Sequence, residues 1–372
     1  MTRPDRAGAH RRARLVPFDQ LSTQDIEAWH ALREVNPELD SAYFHPGFAA
    51  AVHATAAPVS VVVNRNPDGS VRSLLPCHRE RSLIRPAGWP GSDFQGPLYA
   101  PGHAPDPLDL LVDGVRGFEF DHLLTGGPGF DPWIDLRQAS PYLDTSGGLD
   151  GYLGRASRSG KDNMGQARRR SAKAERDIGP VKFEADTVDP DALTRVIELK
   201  RAQYAATGSG DFFVEPGRRE LVHRLLHTRD PGFAGILSTL RIGPHLVAAH
   251  FGMRSGGVLH WWFPVYDPDF SQLAPGWILL RELVAATPSL GIHRIDLGRG
   301  DDEYKRRAKT GETVVARGIV TRSSTQRALR RARTSLLATV KSSPLGPGLR
   351  QVRNRLRRAP SGGPNDNGES TS

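Results

Sequence analysis

Three polar residues stand in otherwise apolar, strand-like runs. A polar side chain there is either held in the core by hydrogen bonds or used for chemistry. His250 closes the run Leu246-Val247-Ala248-Ala249-His250 and, by alternation, shares a face with Leu246 and Ala248. On the next run His260, Trp262 and Tyr266 share a face, and on Ile292–Leu297 Asp296 shares one with Arg294. Asp296 also sits at the exit of its run, beside the turn Gly298-Arg299-Gly300. An imidazole or a carboxylate can take a proton from a nucleophile, which makes His250 and Asp296 the candidate bases. The competing reading for each is a buried, hydrogen-bonded strand residue. Tyr304 and Lys305 follow the glycine turn directly. Their plain reading is a tyrosine packed over a sheet end beside a solvated lysine.

The elements that must position these groups lie in one stretch, Tyr266 to Lys305. A strand ends at Tyr266, a helix opens at Ala274-Pro275-Gly276 and closes near Thr287-Pro288, and a second strand covers Ile292–Leu297. A helix start facing the end of a strand presents free backbone N–H groups, which suit a diphosphate.

The chain of 372 residues is long enough for two domains, and its 38% hydrophobic content fits a water-soluble chain. No apolar run approaches membrane-spanning length, and Met1–Arg14 lacks the apolar core of a secretory signal. The single cysteine, Cys77, excludes an internal disulfide and a multi-cysteine metal site; it reads as a core thiol. His45, His53 and His78 have no ligand spacing, so no metal is expected. These features predict a cytoplasmic protein. The net charge of +9 is concentrated at the ends: residues 1–14 carry +4 and residues 322–372 carry +9, leaving the body at −4. The basic ends favour anionic surfaces and say little about the core activity.

In chain order, residues 1–20 are expected to be a disordered basic arm. Ser22 and Asp25 form a capping-box pair ahead of a helix that stops at Asn36-Pro37. A short helix is expected near His45-Pro46, then a hairpin, Val59–Asn64 with Val71–Leu75, turning through Asn66-Pro67-Asp68-Gly69. The Gly- and Pro-rich residues 85–105, with Trp89, Asp93, Phe94, Gln95 and Tyr99 among them, read as a loop packed over something or as a plain surface connection. A domain boundary is placed near residue 150. Residues 155–182 form a strongly basic helical stretch, either a solvated face or a site for a phosphorylated or acidic acceptor. After it come a strand at Val181–Glu184, two helices, and a three-stranded meander at Ala234–Leu240, Leu246–Met253 and Val258–Tyr266. The helix and strand of the opening stretch follow, with a last strand at Thr313–Val320. The predicted fold class is α+β with a mixed sheet.

That order of elements resembles a GNAT acyltransferase core. Leu246–His250, Trp261-Trp262, Tyr266-Asp267-Pro268, Ala274-Pro275-Gly276, Asp296-Leu297-Gly298, Gly300 and Tyr304-Lys305 look like the CelD/BcsL-type branch of the GNAT superfamily, associated with cellulose and exopolysaccharide production. Asn36-Pro37, His45-Pro46 and Asp93-Phe94-Gln95-Gly96-Pro97 sit where that branch has comparable residues. The branch is similar to Fem-type peptidyltransferases, which pair two GNAT-like halves. The resemblance thus implies a degenerate first half over 21–150 and an acyltransferase half over 151–321.

The resemblance implies acetyl-CoA, or another acyl-CoA, as donor against Ala274, Pro275, Gly276 and Trp277. The usual Gly-rich pyrophosphate loop is absent, and Pro275 removes one of the N–H donors that replace it. It implies Tyr304 as the group that protonates a leaving thiolate, and Lys161, Arg168, Trp262 and Lys305 as acceptor contacts. The acceptor is expected to be an amine or hydroxyl of a sugar or cell-envelope polysaccharide precursor. Two other readings stand beside this one: a Fem-like transferase drawing on aminoacyl-tRNA, and a non-catalytic GNAT-derived subunit of a polysaccharide assembly. Arg-rich residues 327–358 alternate with Leu, Val and Ala as a basic amphipathic helix would, which suggests peripheral attachment to an anionic membrane; disorder or nucleic-acid contact are its rivals.

Overall fold

The structure is a computed structural model, and it describes residues 13–124, 129–300, 302–323 and 325. The first half runs β1 (Ala13–Pro17), α1 (Thr23–Val35), α2 (Pro46–Thr55), β2 (Ser60–Arg65), β3 (Val71–Glu80), β4 (Leu83–Pro86), β5 (Leu98–Tyr99), β6 (Gly117–Leu124) and β7 (Ile134–Asp144). The second half begins with α3 (Gly148–Arg155), α4 (Arg158–Asp177), β8 (Val181–Glu184), α5 (Pro190–Thr207), α6 (Arg218–Leu226) and β9 (Arg229–Asp230). It continues with β10 (Phe233–Ile242), β11 (His245–Ser255), β12 (Val258–Tyr266), α7 (Pro275–Ala286), β13 (Arg294–Asp296), α8 (Glu303–Ala308) and β14 (Gly311–Thr321).

Local chemistry accounts for the helix starts. Ser22 and Asp25 close the expected capping box on α1, and Asp189 accepts from the N–H groups of Asp191 and Ala192 ahead of Pro190 on α5. The meander β10–β11–β12 is antiparallel, whereas β12 and β13 run parallel across the α7 crossover, so the sheet is mixed. The α+β class and the element order of the second half are as the sequence predicts.

Among the described residues all fourteen strands join one sheet, in the order β1-β2-β3-β4-β6-β14-β7-β13-β12-β11-β10-β8, with β5 on β3 and β9 on β10. The last strand, β14, lies between β6 and β7 of the first half and pairs with both. One expectation changes here. Residues 13–17, assigned to a disordered arm, form β1, because Leu15 and Val16 pair with Val62 and Val61 and continue the sheet edge. The boundary placed near 150 falls inside α3. The amphipathic tail and the arm before residue 13 lie outside the described residues. Among the described residues, no helix is long and apolar enough to cross a membrane.

Trp29, Phe44 and Phe48 of the first half are buried in the same core as Val196, Leu221, Phe233 and Phe251 of the second. Burying each such side chain contributes about 1.5–3 kcal/mol. Since β14 is the strand that bridges β6 and β7, a chain spanning residues 13–150 is expected not to fold. Its amide NMR spectrum should lack dispersion and its urea unfolding should lack cooperativity; a sigmoidal transition would show the first half to be self-sufficient.

Candidate active site

The site is built around the shortness of β13. Its ladder with β12 ends at the pair His260–Asp296, while β12 runs on through Trp261 to Tyr266. Past Asp296 the chain parts from β12 while still tied to β7, Leu297 N–H donating to the Pro141 carbonyl at 3.0 Å. The parallel strands therefore part, and among the described residues one edge of β12 has no strand beside it.

Beside that edge lies a cavity of about 330 Å³. Its walls include Trp261, Pro264, Val265 and Tyr266 of β12, Ala274, Pro275, Gly276 and Trp277 at the start of α7, and Tyr304 of α8. The start of α7 has no side-chain cap among the described residues; Pro275 lacks an N–H and the Trp277 N–H donates to the Ala274 carbonyl at 3.0 Å, which leaves the Gly276 N–H to face a ligand. The four residues expected to hold a donor and the tyrosine expected to give a proton thus line one space. Burial, with the Asp302 and Asp93 carboxylates acting in the same direction, pushes the Tyr304 phenol well above its usual range. It is therefore a protonated group at neutral pH.

A second cavity, of about 790 Å³, opens on the other face of β12. Its walls include Trp262 and Phe263, Lys200 and Tyr204 of α5, Phe212 and Arg218, and His78, Trp89 and Asp93 from the first half. Trp262 and Phe263 are consecutive, yet both face this cavity, which strict alternation forbids. The register explains it: Phe251 pairs with Phe263 but Met253 with His260, so Trp261 and Trp262 together oppose Gly252 in a β-bulge. Gly252 is required there, since a Cβ would lie 2.0 Å from the His260 carbonyl. The bulge also turns Tyr266 to the smaller cavity, so it does not share the face of His260 and Trp262. The cavities share a wall, where the Lys200 ammonium lies 3.5 Å from the Pro264 carbonyl. Burial, reinforced by the nearby Lys305 charge, lowers Lys200 to about 8.

Asp93 lies where the halves meet. Its two oxygens are 2.9 Å from His122 Nε2 and 3.0 Å from His260 Nε2, although both nitrogens lie off the line of a well-formed hydrogen bond. The other nitrogen of His122 faces Asp121, which also meets Gln95 and Arg299. Burial alone would raise the Asp93 carboxyl, but the two imidazoles hold it well below the usual carboxylate range. The side chain stays 24% exposed, and that surface belongs to the larger cavity. Gly298 fits against it at φ +71°, where a Cβ would meet an Asp93 oxygen at 2.3 Å.

Several of the expected site residues have other surroundings. His250 is fully buried behind Trp261, its ring stacked on the indole at 4.1 Å, and burial pushes its imidazole down to about 3. Asp296 is paired with Arg294, which also clasps Asp40 through two hydrogen bonds of 2.8 and 2.6 Å. Neither residue lines either cavity. Lys305 turns inward, and its ammonium donates to the carbonyls of Gly298 and Arg299, closing the glycine turn. Lys161 and Arg168 line a separate groove with Leu149, Leu153, Met164 and Arg281. Cys77 is a buried thiol whose pKa burial raises to about 12. Among the described residues no group of three or more His, Cys, Asp or Glu is placed to hold a metal ion.

Residues 161–306 match the family model described as an acetyltransferase (GNAT) domain. The chain carries a GNAT acyltransferase fold. No curated protein matches it. Among solved structures, the GNAT-bearing chain is similar to the C-terminal domain of a putative lysylphosphatidylglycerol synthetase from Agrobacterium fabrum. The TM-score is 0.50 at 12% identity, over 85% of this chain and 96% of that one. FemX gives a TM-score of 0.49 at 9% identity, over 76% and 97% of the two chains. A tandem GNAT protein from the clavulanic acid biosynthesis pathway gives 0.46 at 13% identity, over 83% and 98%.

Asp93, His122, Lys200 and Tyr204 were not singled out by the sequence as site residues. For Asp93 a signal existed, an acidic residue in the rigid Gly- and Pro-rich loop; the others look like ordinary strand and helix positions. The Arg294 clasp yields a stability prediction. Arg294→Met strands the buried Asp296 beside Asp40 and should cost about 3 kcal/mol. A lower urea midpoint at unchanged slope is the expected result, and an unchanged midpoint would make the clasp dispensable.

Proposed function

We propose that the chain is an acyltransferase that takes an acyl group from acetyl-CoA, or another acyl-CoA, lying along the open edge of β12. It transfers this group to an amine or hydroxyl of a sugar or cell-envelope polysaccharide precursor held in the larger cavity. One observation carries the reading: an apolar cavity headed by an uncapped helix start shares a wall with a larger cavity of mixed aromatic and charged lining. A slim, amide-bearing thioester arm suits the first, because amides can pair with a strand edge that lacks a partner. The helix start supplies the Gly276 N–H and the positive end of the helix dipole for its phosphates. The second, with Trp89, Tyr204, Phe212 and Trp262 as flat apolar faces and Glu80, Asp93, Asp211 and Glu215 as acceptors, suits a polyhydroxylated ring. Such a ring presents C–H groups on its faces and hydroxyls at its edges.

The chemistry follows from the same walls. A bulge leaves one residue's backbone groups outside the ladder. The bulge at Trp261–Trp262 can therefore offer an N–H to the oxyanion as the acceptor attacks the thioester carbonyl. When the tetrahedral intermediate collapses, the C–S bond breaks and Tyr304 gives its proton to the thiolate.

Two measurements test this reading. A Cβ at Gly276 would point into open space, so Gly276→Asp should fold while placing a negative charge where the phosphates lie. Its affinity for acetyl-CoA by isothermal titration should fall at least about tenfold; equal affinities would move the donor away from α7. Tyr304→Phe should lower kcat by about 100-fold at nearly constant donor KM. An unaltered kcat would remove Tyr304 from the proton path.

A further inference from the structure

We infer that the outer face of α4, with the groove it forms against α3 and α7, is a docking surface for an anionic phospholipid membrane. The helix carries seven cationic and three acidic side chains in twenty residues, +4, whereas the rest of the body between residues 15 and 321 carries −8. Ion pairs stand just before and just after it, Arg155 with Asp144 at 3.0 Å and Lys182 with Glu184 at 2.9 Å. Between them, among the described residues, no cation of α4 has an acidic partner.

The charge is also arranged. Gly160, Met164, Ala167 and Ala174 are buried, and helical spacing puts Lys161, Arg168 and Arg176 together on the exposed side. Gly165 and Ala172 are the residues between them on that side, so nothing bulky screens the stripe. From Lys161 to Arg176 it is about 22 Å long. At its Lys161–Arg168 end opens a groove of about 310 Å³ whose walls include Leu149 and Leu153 of α3, Met164 of α4 and Arg281 of α7. Arg281 is paired with Glu282 at 2.6 Å, so Lys161 and Arg168 are the unpaired cations at this rim.

A stripe of that length outreaches a single small anion and matches an extended polyanionic surface. Lipid headgroups and a nucleic-acid backbone both qualify on charge alone. Two observations favour lipid. The groove is floored by leucine and methionine, where a hydrocarbon chain escapes water and a sugar–phosphate strand gains nothing. Neither the groove nor α4 has an aromatic side chain on which a base could stack. The chain's own ends do not suit this face, because residues 1–14 and 322–372 are cationic as well. With cations concentrated on one helix and a net-negative remainder, the long-range field turns α4 toward an anionic plane. The helix then lies along the headgroups, Lys161 and Arg168 meet phosphates, and an acyl chain rests on Leu149 and Leu153.

The test is co-sedimentation of the full chain with vesicles of phosphatidylcholine alone and of phosphatidylcholine with phosphatidylserine in equal proportion. It needs no acyl transfer and so stands apart from the acyltransferase reading. Binding should require the anionic lipid and weaken as salt is raised. Arg168→Glu combined with Arg176→Glu should lower vesicle affinity at least about tenfold at an unchanged urea midpoint, since both side chains are exposed. The C-terminal residues are the same in parent and variant, so their contribution cancels from that ratio. Leu153→Cys supplies a labelling site, because Cys77 is buried. A fluorophore there should be quenched by phosphatidylserine brominated in its acyl chains. Equal binding to neutral vesicles, a double variant within about twofold of the parent, or an unquenched fluorophore would each overturn the proposal. A DNA duplex that holds the parent more tightly than the vesicles do, and loses the double variant, would overturn it in favour of nucleic acid. A parent dimer that the double variant loses, without vesicle binding, would overturn it in favour of a second copy of this chain.

Discussion

The early end of β13 is the constraint on which the rest of the site depends. A three-residue strand between β12 and β7 is long enough to hold the sheet together and too short to cover the edge of β12. Three features keep it short. Arg294 clasps Asp40 and Asp296 at one end of the strand, fixing its register. Gly298 and Gly300, at φ +71° and +139°, turn the chain out of the sheet where a side-chain-bearing residue would be strained. Lys305 then ties the turn from beneath through the carbonyls of Gly298 and Arg299. Lys305 thus contributes to the site by shaping the gap, without an open face toward a ligand.

The bulge opposite Gly252 is the second constraint, and it works with the first. A regular β12 would send Trp262 and Phe263 to opposite faces of the sheet. The extra residue puts both on the larger cavity and turns Pro264 and Tyr266 toward the smaller one. One strand therefore serves two binding spaces, and their common wall is a single strand thick at Pro264. Transfer of a group between two bound molecules needs such closeness, because each ångström of misplacement erodes the gain from holding both reactants.

Much of the second half was legible in the sequence because its elements are marked locally. Proline follows a good cap at α5, hairpin-length links join β10, β11 and β12, and alternation and helical spacing are strong throughout. The helix start at Ala274–Trp277 was legible for the same reason. His250 and Asp296 were less so, because alternation gives the face of a strand residue but not what covers that face. For His250 the covering group is Trp261, its strand neighbour after the bulge; for Asp296 it is Arg294, two residues away on the same strand. The insertion of β14 between β6 and β7 has no local signal, since it depends on pairing across nearly 200 residues.

Asp93 makes the wider point about the first half. A half described as degenerate would be expected to support the second from outside, yet its loop delivers a carboxylate, Trp89 and Pro90 into the larger cavity. Its strand β6 delivers His122 to the same carboxylate. The clash that a Cβ at Gly298 would make with Asp93 shows how closely this loop is fitted to the turn beside the open edge of β12. Shifting the loop would disturb the turn, and lengthening β13 would displace the carboxylate. At the site the two halves are thus coupled by the close fit of a carboxylate against a glycine, in addition to their shared core and the pairing of β14 with β6 and β7. The first half thus lines the larger cavity with walls and a counter-charge of its own, whatever its likeness to the second.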